Sequence, residues 1–322
     1  MHTDSEFITF YYNITKNKYI KMKKSIIGVC VLCFVLASCG GSGSSSATAD
    51  TAVEIVVQAE PWENISIVTE EIFKPATEVC PEYTIMERTQ YRLSKFAQDS
   101  EGSYILFDGK TLNGWRGYNR DDIPARWIVD EAENAIKFVG SGGGESQVAD
   151  GGDIIFGHKF KNFEFSIDWK VDSAGNSGIF YLAQEIKNQP IYISAPESQI
   201  LDNENHVDGR SPITSSTSLY DMLAAIPQNA NPYGEWNNTT IIVDRGNVYH
   251  FQNGERVVTY NLWTARWTEM LQNSKFSPDR WSNGLAFELL NNAGGENREG
   301  YIGLQDHGDD VWFRNIKVKI LD

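Results

Sequence analysis

The chain has 322 residues, enough for one large domain or two ordinary ones. Its 28 Lys and Arg against 43 Asp and Glu give a net charge of −15, so its overall field excludes attraction to nucleic acid or anionic lipid. An aromatic content of 12% argues against a disordered chain, and only four Cys exclude a disulfide-stapled scaffold.

An apolar segment at residues 26–37 follows a lysine-rich cluster at residues 21–24. It is about a dozen residues long, whereas a membrane-spanning helix needs roughly 20, so it resembles a signal-peptide core. Residues 36–39, Leu-Ala-Ser-Cys, resemble the lipobox of bacterial lipoproteins. We therefore expect residues 1–38 to be an N-terminal extension and lipoprotein signal peptide, with Cys39 lipidated. The alternative is an ordinary cleaved signal in which Cys39 is incidental.

This interpretation predicts a lipid-anchored protein of the cell envelope, on the periplasmic side or the cell surface. The lipid anchor would be its only contact with the membrane. Residues 39–102 are then a flexible Gly- and Ser-rich tether followed by an acidic linker or accessory segment. Within it we predict a short strand at residues 53–57, a helix at residues 85–96, and a Cys80 that is buried or partly exposed and not a nucleophile.

From about residue 103 onward, the pattern changes to many short strands separated by turn signals. Residues 163–171 alternate strictly between apolar and polar side chains, which is typical of a strand with one buried face. The Asn253-Gly254 step is a strong hairpin signal. Further strands are predicted at residues 239–243, 248–252, 301–306 and 311–320, and a helix at residues 264–273. The pattern indicates an all-β sandwich or barrel.

Six segments in order resemble the 3-keto-disaccharide hydrolase domain family, which is common in Bacteroidetes lipoproteins. They include the motifs LFDGKTLNGW, NSGIFY, ESQILDNENH and GEWN, and lie at residues 106–115, 176–181, 197–206, 234–237, 250–254 and 302–316. The resemblance implies that residues 103–322 form a concanavalin A-like jelly-roll β-sandwich of two antiparallel sheets with a sugar-binding face. It also implies action on glycosides already oxidised to a ketone at carbon 3.

A two-residue period in two of these segments predicts a polar face. If Ile200, Ile302 and Leu304 point into the core between the sheets, their alternates point to the opposite face. Those alternates are Glu197, Gln199, Gln305 and His307. Amides and a carboxylate bind sugar hydroxyls, and an imidazole transfers protons near neutral pH. An ordinary solvated sheet face, with His307 capping a turn, is the alternative interpretation.

Other residues offer weaker signals. Asn176 begins an apolar strand after a Gly, where it would be aimed at the ligand. Tyr220 and Trp236 are flat side chains that would stack on a sugar ring or fill the core. Asp202 and His206 lie in a run of oxygen and imidazole groups that would suit a divalent cation, or a polar turn. No cofactor other than such a cation is indicated.

Standard glycosidases need two carboxyl groups roughly 5 to 9 Å apart. Glu197 and Asp202 fall on opposite faces of the predicted strand, and Glu164 and Asp168 lie on a strand face that we expect to be solvated. The sequence therefore disfavours conventional acid–base hydrolysis.

A ketone at carbon 3 makes the proton at carbon 2 acidic, so elimination of the group at carbon 1 followed by hydration would cleave the glycoside. We assign Glu197 or His307 as the base, with the other residue or a cation supporting the oxyanion. Gln199, Gln305 and Asn176 would position hydroxyl groups. The alternatives are a non-catalytic, lectin-like envelope lipoprotein and a structural or adhesive one.

Overall fold

The computed structural model describes residues 67–78, 80–141, 150–280 and 282–322, all within one unit that spans residues 57–322. The predicted signal peptide, the lipidation site at Cys39, the tether and the predicted strand at residues 53–57 lie outside the described residues.

Within those ranges the chain forms fifteen strands and two short α-helices. The strands are β1 (Thr69–Lys74), β2 (Tyr83–Arg88), β3 (Tyr104–Ile105), β4 (Trp115–Gly117), β5 (Trp127–Asp130), β6 (Ala135–Phe138), β7 (Ile154–Phe156), β8 (Phe163–Val171), β9 (Asn176–Ala183), β10 (Glu197–Leu201), β11 (Asn237–Asp244), β12 (Asn247–Gln252), β13 (Glu255–Asn261), β14 (Tyr301–Leu304) and β15 (Val311–Ile320). The helices are α1 (Ala265–Gln272) and α2 (Leu285–Asn291).

Two antiparallel sheets form the sandwich. One has five strands in the order β10-β9-β14-β7-β4. The other has eight, in the order β13-β12-β11-β8-β15-β6-β5, with β3 paired to β15. The predicted all-β jelly-roll sandwich is confirmed, as are the strands predicted around β8, β11, β12, β14 and β15.

The hydrophobic core lies between the two sheets. On β8, every second residue from Phe163 to Val171 is buried, and the alternating polar residues are half-buried on the outer face. Ile200, Ile302 and Leu304 of the five-stranded sheet belong to the same buried cluster, as predicted. Each large apolar side chain buried in this way contributes about 1.5–3 kcal/mol, so the core firmly fixes which side chains point outward.

A small polar network lies inside this core. The Nδ1 atom of His250 lies 2.9 Å from the carbonyl oxygen of Thr217, and its Nε2 atom lies 2.8 Å from the hydroxyl of Tyr181. Burial lowers the pKa of His250 to about 4, although the hydrogen bond to Thr217 opposes the shift. The imidazole is therefore neutral at physiological pH, and its two hydrogen bonds link β9, β12 and the chain before Tyr220.

The N-terminal hairpin β1–β2 docks on the sandwich, and the helix predicted at residues 85–96 is wrong. Residues 83–88 form β2 instead, followed by a 3-10 turn at Leu93–Lys95. The N–H of Met86 donates to the carbonyl oxygen of Glu185 at 2.8 Å, and Arg88 bonds to the buried carboxylate of Glu185. These tertiary contacts override the local helical pattern. Cys80 is buried, as predicted, and carries a free thiol.

Helix α1 confirms the predicted helix at residues 264–273. The hydroxyl of Thr264 accepts a hydrogen bond from the N–H of Trp267 at 3.2 Å, a typical N-cap. Helix α2 was not predicted. Among the described residues, no helix is long and apolar enough to cross a membrane.

Candidate active site

Polar side chains on the outer face of the five-stranded sheet are buried. Glu197 is 5% exposed, Gln199 is 1% exposed and Gln305 is 4% exposed. An ordinary solvated sheet face would leave such groups accessible to water. Because burying polar groups costs free energy, this set marks a covered surface rather than a plain exterior.

The strand register arranges these residues in rows. Glu197 lies opposite Phe180, and Gln199 lies opposite Gly178. The N–H of Gln305 donates to the carbonyl oxygen of Gly178 at 3.0 Å, so Gln199 and Gln305 flank Gly178 in one row. Consecutive rows are two residues apart, which corresponds to about 6–7 Å along a strand.

Asn176 and His307 form the next row along. The amide Nδ2 atom of Asn176 lies 3.4 Å from Nε2 of His307. We call these rows together the polar strip; its residues are Glu197, Gln199, Gln305, Asn176 and His307, with Tyr220 beside Glu197. The strip has Glu197 at one end and His307 at the other, with two amides between them.

Two glycines make room on this face. A Cβ atom on Gly178 would lie 2.4 Å from Oε1 of Glu197, so the carboxylate of Glu197 lies over β9 where a side chain is missing. A Cβ atom on Gly303 would lie 2.6 Å from Cδ1 of Ile191. Larger residues at these two positions would collide with the groups that shape the site.

Tyr220 joins the strip through an extra strand-like segment beside β10. Its N–H donates to the carbonyl oxygen of Glu197 at 3.1 Å, and Leu219 forms a β-bridge with Ser198. The phenol donates to Oδ2 of Asp208 at 3.1 Å. Burial, followed by the neighbouring carboxylates of Glu197 and Asp208, raises the pKa of Tyr220 well above its ordinary value. The phenol therefore stays neutral and acts as a donor.

Two imidazoles meet at the far end of the strip. Nε2 of His206 lies 3.5 Å from Nδ2 of Asn176, and the rings of His206 and His307 are 6.1 Å apart between centroids. Nδ1 of His307 lies 3.9 Å from a carboxylate oxygen of Asp309. Oδ1 of Asn176 is buried with no hydrogen-bond partner in the described part of the chain.

The carboxylate of Asp202, a weak metal candidate, holds a polar turn. It accepts hydrogen bonds from the N–H groups of Ala174 at 2.8 Å and Glu204 at 3.1 Å, and from the side chain of Asn205 at 2.7 Å. Burial alone would raise the pKa of Asp202, but these hydrogen bonds together lower it. Across the described ranges, no three His, Cys, Asp or Glu residues form a metal-binding group. The imidazoles of His206 and His307 come together beside the amide nitrogen of Asn176.

The structure does not bring Trp236 to the polar strip. The guanidinium carbon of Arg314 lies 3.8 Å from the centre of its ring, and the ammonium of Lys170 lies 5.0 Å away. Lys170 and Arg314 belong to β8 and β15 of the eight-stranded sheet, and both lie on its outer face. Trp236 immediately precedes β11, so the register that buries Asn237 carries the indole to the opposite side of the sandwich.

Sequence reasoning missed Lys275, whose ammonium lies 4.2 Å from the centre of the Tyr220 ring. It follows α1 in a segment far along the chain from β10, and only tertiary folding brings it to Tyr220. A lone lysine in a loop carries no pattern that could have identified it.

The comparisons with known proteins identify the family. The model of the family described as 3-keto-alpha-glucoside-1,2-lyase-like domain matches residues 102–319. A Bacteroides thetaiotaomicron protein named 3-keto-disaccharide hydrolase is 59% identical over 236 residues, which are 70% of this chain and 80% of that protein.

A crystal structure from Parabacteroides distasonis, of a protein provisionally named a glycosyl hydrolase, aligns with a TM-score of 0.57 at 28% identity. The alignment covers 69% of this chain and 95% of that one. The family match spans the whole sandwich and includes every residue of the polar strip. This chain therefore belongs to the family of 3-keto-alpha-glucoside-1,2-lyase-like domains.

Proposed function

We propose that this protein is an enzyme that cleaves the glycosidic bond of 3-keto-disaccharides or other 3-keto-glycosides. The observation that carries the proposal is the buried polar strip, in a domain of this family. A carboxylate at one end, an imidazole at the other and two amides between them suit a neutral sugar ring. The relative named 3-keto-disaccharide hydrolase and the term 1,2-lyase in the family description support the same substrate class.

The proposed reaction begins with removal of the proton at carbon 2. The electron pair of that C–H bond forms a double bond between carbons 2 and 3, and the carbonyl electrons move to the carbon 3 oxygen as an enolate. When the enolate collapses, the bond between carbon 1 and the leaving oxygen breaks, and that oxygen takes up a proton. Addition of water across carbons 1 and 2 completes a net hydrolysis.

Glu197 and His307 are the candidate bases because they are the proton acceptors at the two ends of the strip. Gln199 and Gln305 face the same row between them and would hold hydroxyl groups of the ring. The side-chain oxygen of Asn176 is buried and has no hydrogen-bond partner among the described residues, and a substrate hydroxyl would satisfy it. General acid–base catalysis of this kind contributes typically 10²–10⁴-fold in rate.

A divalent cation is the alternative support for the enolate oxygen. His206 and His307 are the imidazoles that would hold it, since the Nε2 atoms of both lie within 3.5 Å of the amide nitrogen of Asn176 and imidazole binds such ions. A chelator that abolishes turnover, with recovery on adding back a divalent metal, would favour this variant. Unchanged turnover after chelation would leave the protein side chains to stabilise the oxyanion.

The test of function uses one pair of substrates. The purified protein is incubated with a 3-keto-glucoside and with the same glucoside lacking the ketone, and release of the aglycone is followed. We expect product from the ketone alone. Tight binding of a glycan without turnover of either compound would instead favour the lectin-like alternative.

We also propose that the protein is a lipid-anchored envelope protein attached through Cys39. The supports are the lipobox-like residues 36–39 and the Gly- and Ser-rich tether that follows them. A Cys39→Ser variant is expected to leave the membrane fraction, whereas Cys33→Ser in the apolar segment should not. Equal membrane association of both variants would contradict the anchor.

A further inference from the structure

Lys275 is a cation in an aromatic cage. Its ammonium lies 4.2 Å from the ring centre of Tyr220, 5.0 Å from that of Phe276 and 5.5 Å from that of Tyr192. We call these three rings the aromatic cage. Such contacts stabilise a cation electrostatically without neutralising its charge.

No carboxylate of the described chain lies within 4.0 Å of the Lys275 ammonium. Three other lysines of the sandwich each form an ion pair. The ammonium groups of Lys137, Lys159 and Lys170 lie 2.5 to 2.9 Å from a carboxylate oxygen. In a chain with 15 more acidic than basic residues, a partly buried lysine without an ion pair is unusual. Its hydrogen-bonding capacity is left for a ligand.

The position of Lys275 is fixed by the chain around it. Its own N–H donates to Oδ2 of Asp221 at 2.6 Å, and Asp221 directly follows Tyr220. The side chains of Ser274 and Phe276, on either side, are buried. The loop is therefore attached to the segment that carries Tyr220.

This attachment places the ammonium at the Glu197 end of the polar strip. The strand-like segment that carries Tyr220 pairs with β10, so that Tyr220 lies opposite Glu197. Residues opposite each other in this way have Cβ atoms about 4.5–5.5 Å apart. The ammonium lies over the Tyr220 ring, and the charge of Glu197 contributes to the raised pKa of Tyr220, so Lys275 and Glu197 are both neighbours of this phenol. The backbone of His307 lies two rows further along, whereas the carboxylate of Glu197 lies over Gly178 in the row between them.

We propose that Lys275 is a catalytic residue that donates a hydrogen bond to the enolate oxygen at carbon 3, with Glu197 as the base at carbon 2. The inference rests on the proposed function. Glu197 takes the carbon 2 proton, the carbonyl electrons move to the carbon 3 oxygen, and the Lys275 ammonium stabilises that negative charge without forming a covalent bond. When the enolate collapses and the leaving oxygen departs, the charged oxygen at carbon 3 becomes a neutral carbonyl oxygen again, and Lys275 is unchanged.

The geometry of the substrate sets a requirement for this pairing. Carbons 2 and 3 are bonded neighbours, so the base and the group on the enolate oxygen must lie close together. Lys275 meets that requirement through Tyr220, whose ring it contacts and which pairs directly beside Glu197. His307 would then contact the hydroxyl groups or the leaving group at the far end.

The test compares Lys275→Met, which keeps the length of the side chain, with Lys275→Arg, which keeps the charge. Lys319→Met, on an exposed lysine of β15, is the matched control. For a 3-keto-glucoside we expect kcat/KM to fall about 10²–10³-fold in Lys275→Met, the usual loss when one oxyanion donor is removed. Lys275→Arg should recover part of the loss, and the control should equal the wild type.

A second readout separates chemistry from folding. Exchange of the carbon 2 proton with D₂O reports enolate formation, and it should slow in Lys275→Met in parallel with cleavage, while the thermal unfolding midpoint stays unchanged. If the wild type cleaves the ketone and Lys275→Met cleaves and exchanges equally fast, the assignment of Lys275 is wrong and the proposed function stands. If the wild type cleaves no 3-keto-glycoside, the proposed function is wrong and the assignment falls with it.

Discussion

Glu197 and Asp168 both point away from the core of the sandwich, on opposite sheets, yet their surroundings differ. Glu197 is 5% exposed and lies in a row with Tyr220 beneath the Lys275 loop. Asp168 is half-buried on β8, where side-chain amides of Asn238 and Asn315 donate to it at 2.8 and 2.7 Å.

The comparison shows that alternation identifies the outward residues, whereas burial identifies the site. On the eight-stranded sheet, the outward carboxylate is satisfied by its own neighbours and needs no ligand. On the five-stranded sheet, polar groups are covered, and among the described residues the Asn176 oxygen and the ammonium of Lys275 in the neighbouring loop have no hydrogen-bond partner. Since unsatisfied buried polar groups destabilise a fold, they mark the face on which we propose that a substrate binds.

The largest expected effect comes from a pair of variants, each of which replaces a carboxylate by an amide on one of the two outer faces. Glu197→Gln is expected to lower kcat/KM for a 3-keto-glucoside by about 10³–10⁴-fold, because it removes the base. Asp168→Asn, on the opposite sheet, should leave kcat/KM within twofold of the wild type. Initial rates of aglycone release check both. Equal losses in the two variants would mean that the outer faces do not differ as described.

The histidine end of the strip is expected to matter less. His307→Ala should lower kcat/KM by about 10²-fold, since one proton-transferring or hydroxyl-binding group is lost. His158→Ala is the control, because His158 is also half-buried but lies outside the strip, 2.8 Å from the carbonyl oxygen of Tyr91. Full activity of His307→Ala on the 3-keto-glucoside would remove His307 from the site.

His250, whose imidazole is buried in the core between the two sheets, predicts that the stability of the folded protein depends on pH. His250 has a pKa of about 4 in the folded protein, against an ordinary value of 6.5. The unfolded chain therefore binds a proton that the folded protein does not, and the folded state loses stability as the pH falls from about 6.5 to about 4. The full loss is about 3 kcal/mol.

Urea unfolding at pH 7.5 and pH 4.5 measures this loss. His250→Gln keeps polar atoms near Tyr181 but cannot titrate, so it should lose less stability than the wild type over the same interval. Identical losses would show that other groups, and not His250, cause the acid sensitivity.

The smallest expected effect concerns the two aromatic residues that the sequence suggested for sugar stacking. Tyr220→Ala should raise KM for the 3-keto-glucoside by about tenfold, because stacking and hydrogen bonding to one ring contribute roughly 1–2 kcal/mol. Trp236→Ala should leave KM unchanged, since Trp236 stacks on Arg314 across the molecule. A raised KM in Trp236→Ala alone would reverse this assignment.

Strand alternation predicted most of the fold and the shared face of the candidate site residues. Residues 163–171 and 311–320 alternate over long stretches, so their strands and their buried faces followed from the sequence. The same period placed Glu197, Gln199 and Gln305 on one face, because the apolar residues between them had to enter the core.

Contacts between distant segments could not be predicted. The helix expected at residues 85–96 does not form because residues 83–88 pair with β1 and bond to Glu185. Helix α2 has only seven residues, and no side chain caps its first residue, so its sequence carries no helix-start signal. Lys275 reaches the candidate site only because its loop folds onto the segment that carries Tyr220. No local pattern indicated which of the two sheets Trp236 would pack on.

The central claim is that cleavage proceeds through loss of the proton at carbon 2. Its most direct test uses a 3-keto-glucoside labelled with deuterium at carbon 2 and follows the label during turnover by the wild type. The account predicts that deuterium passes to water and that cleavage is slower than with the unlabelled compound. Release of the aglycone at an unchanged rate, with all deuterium retained at carbon 2 of the product, would contradict it.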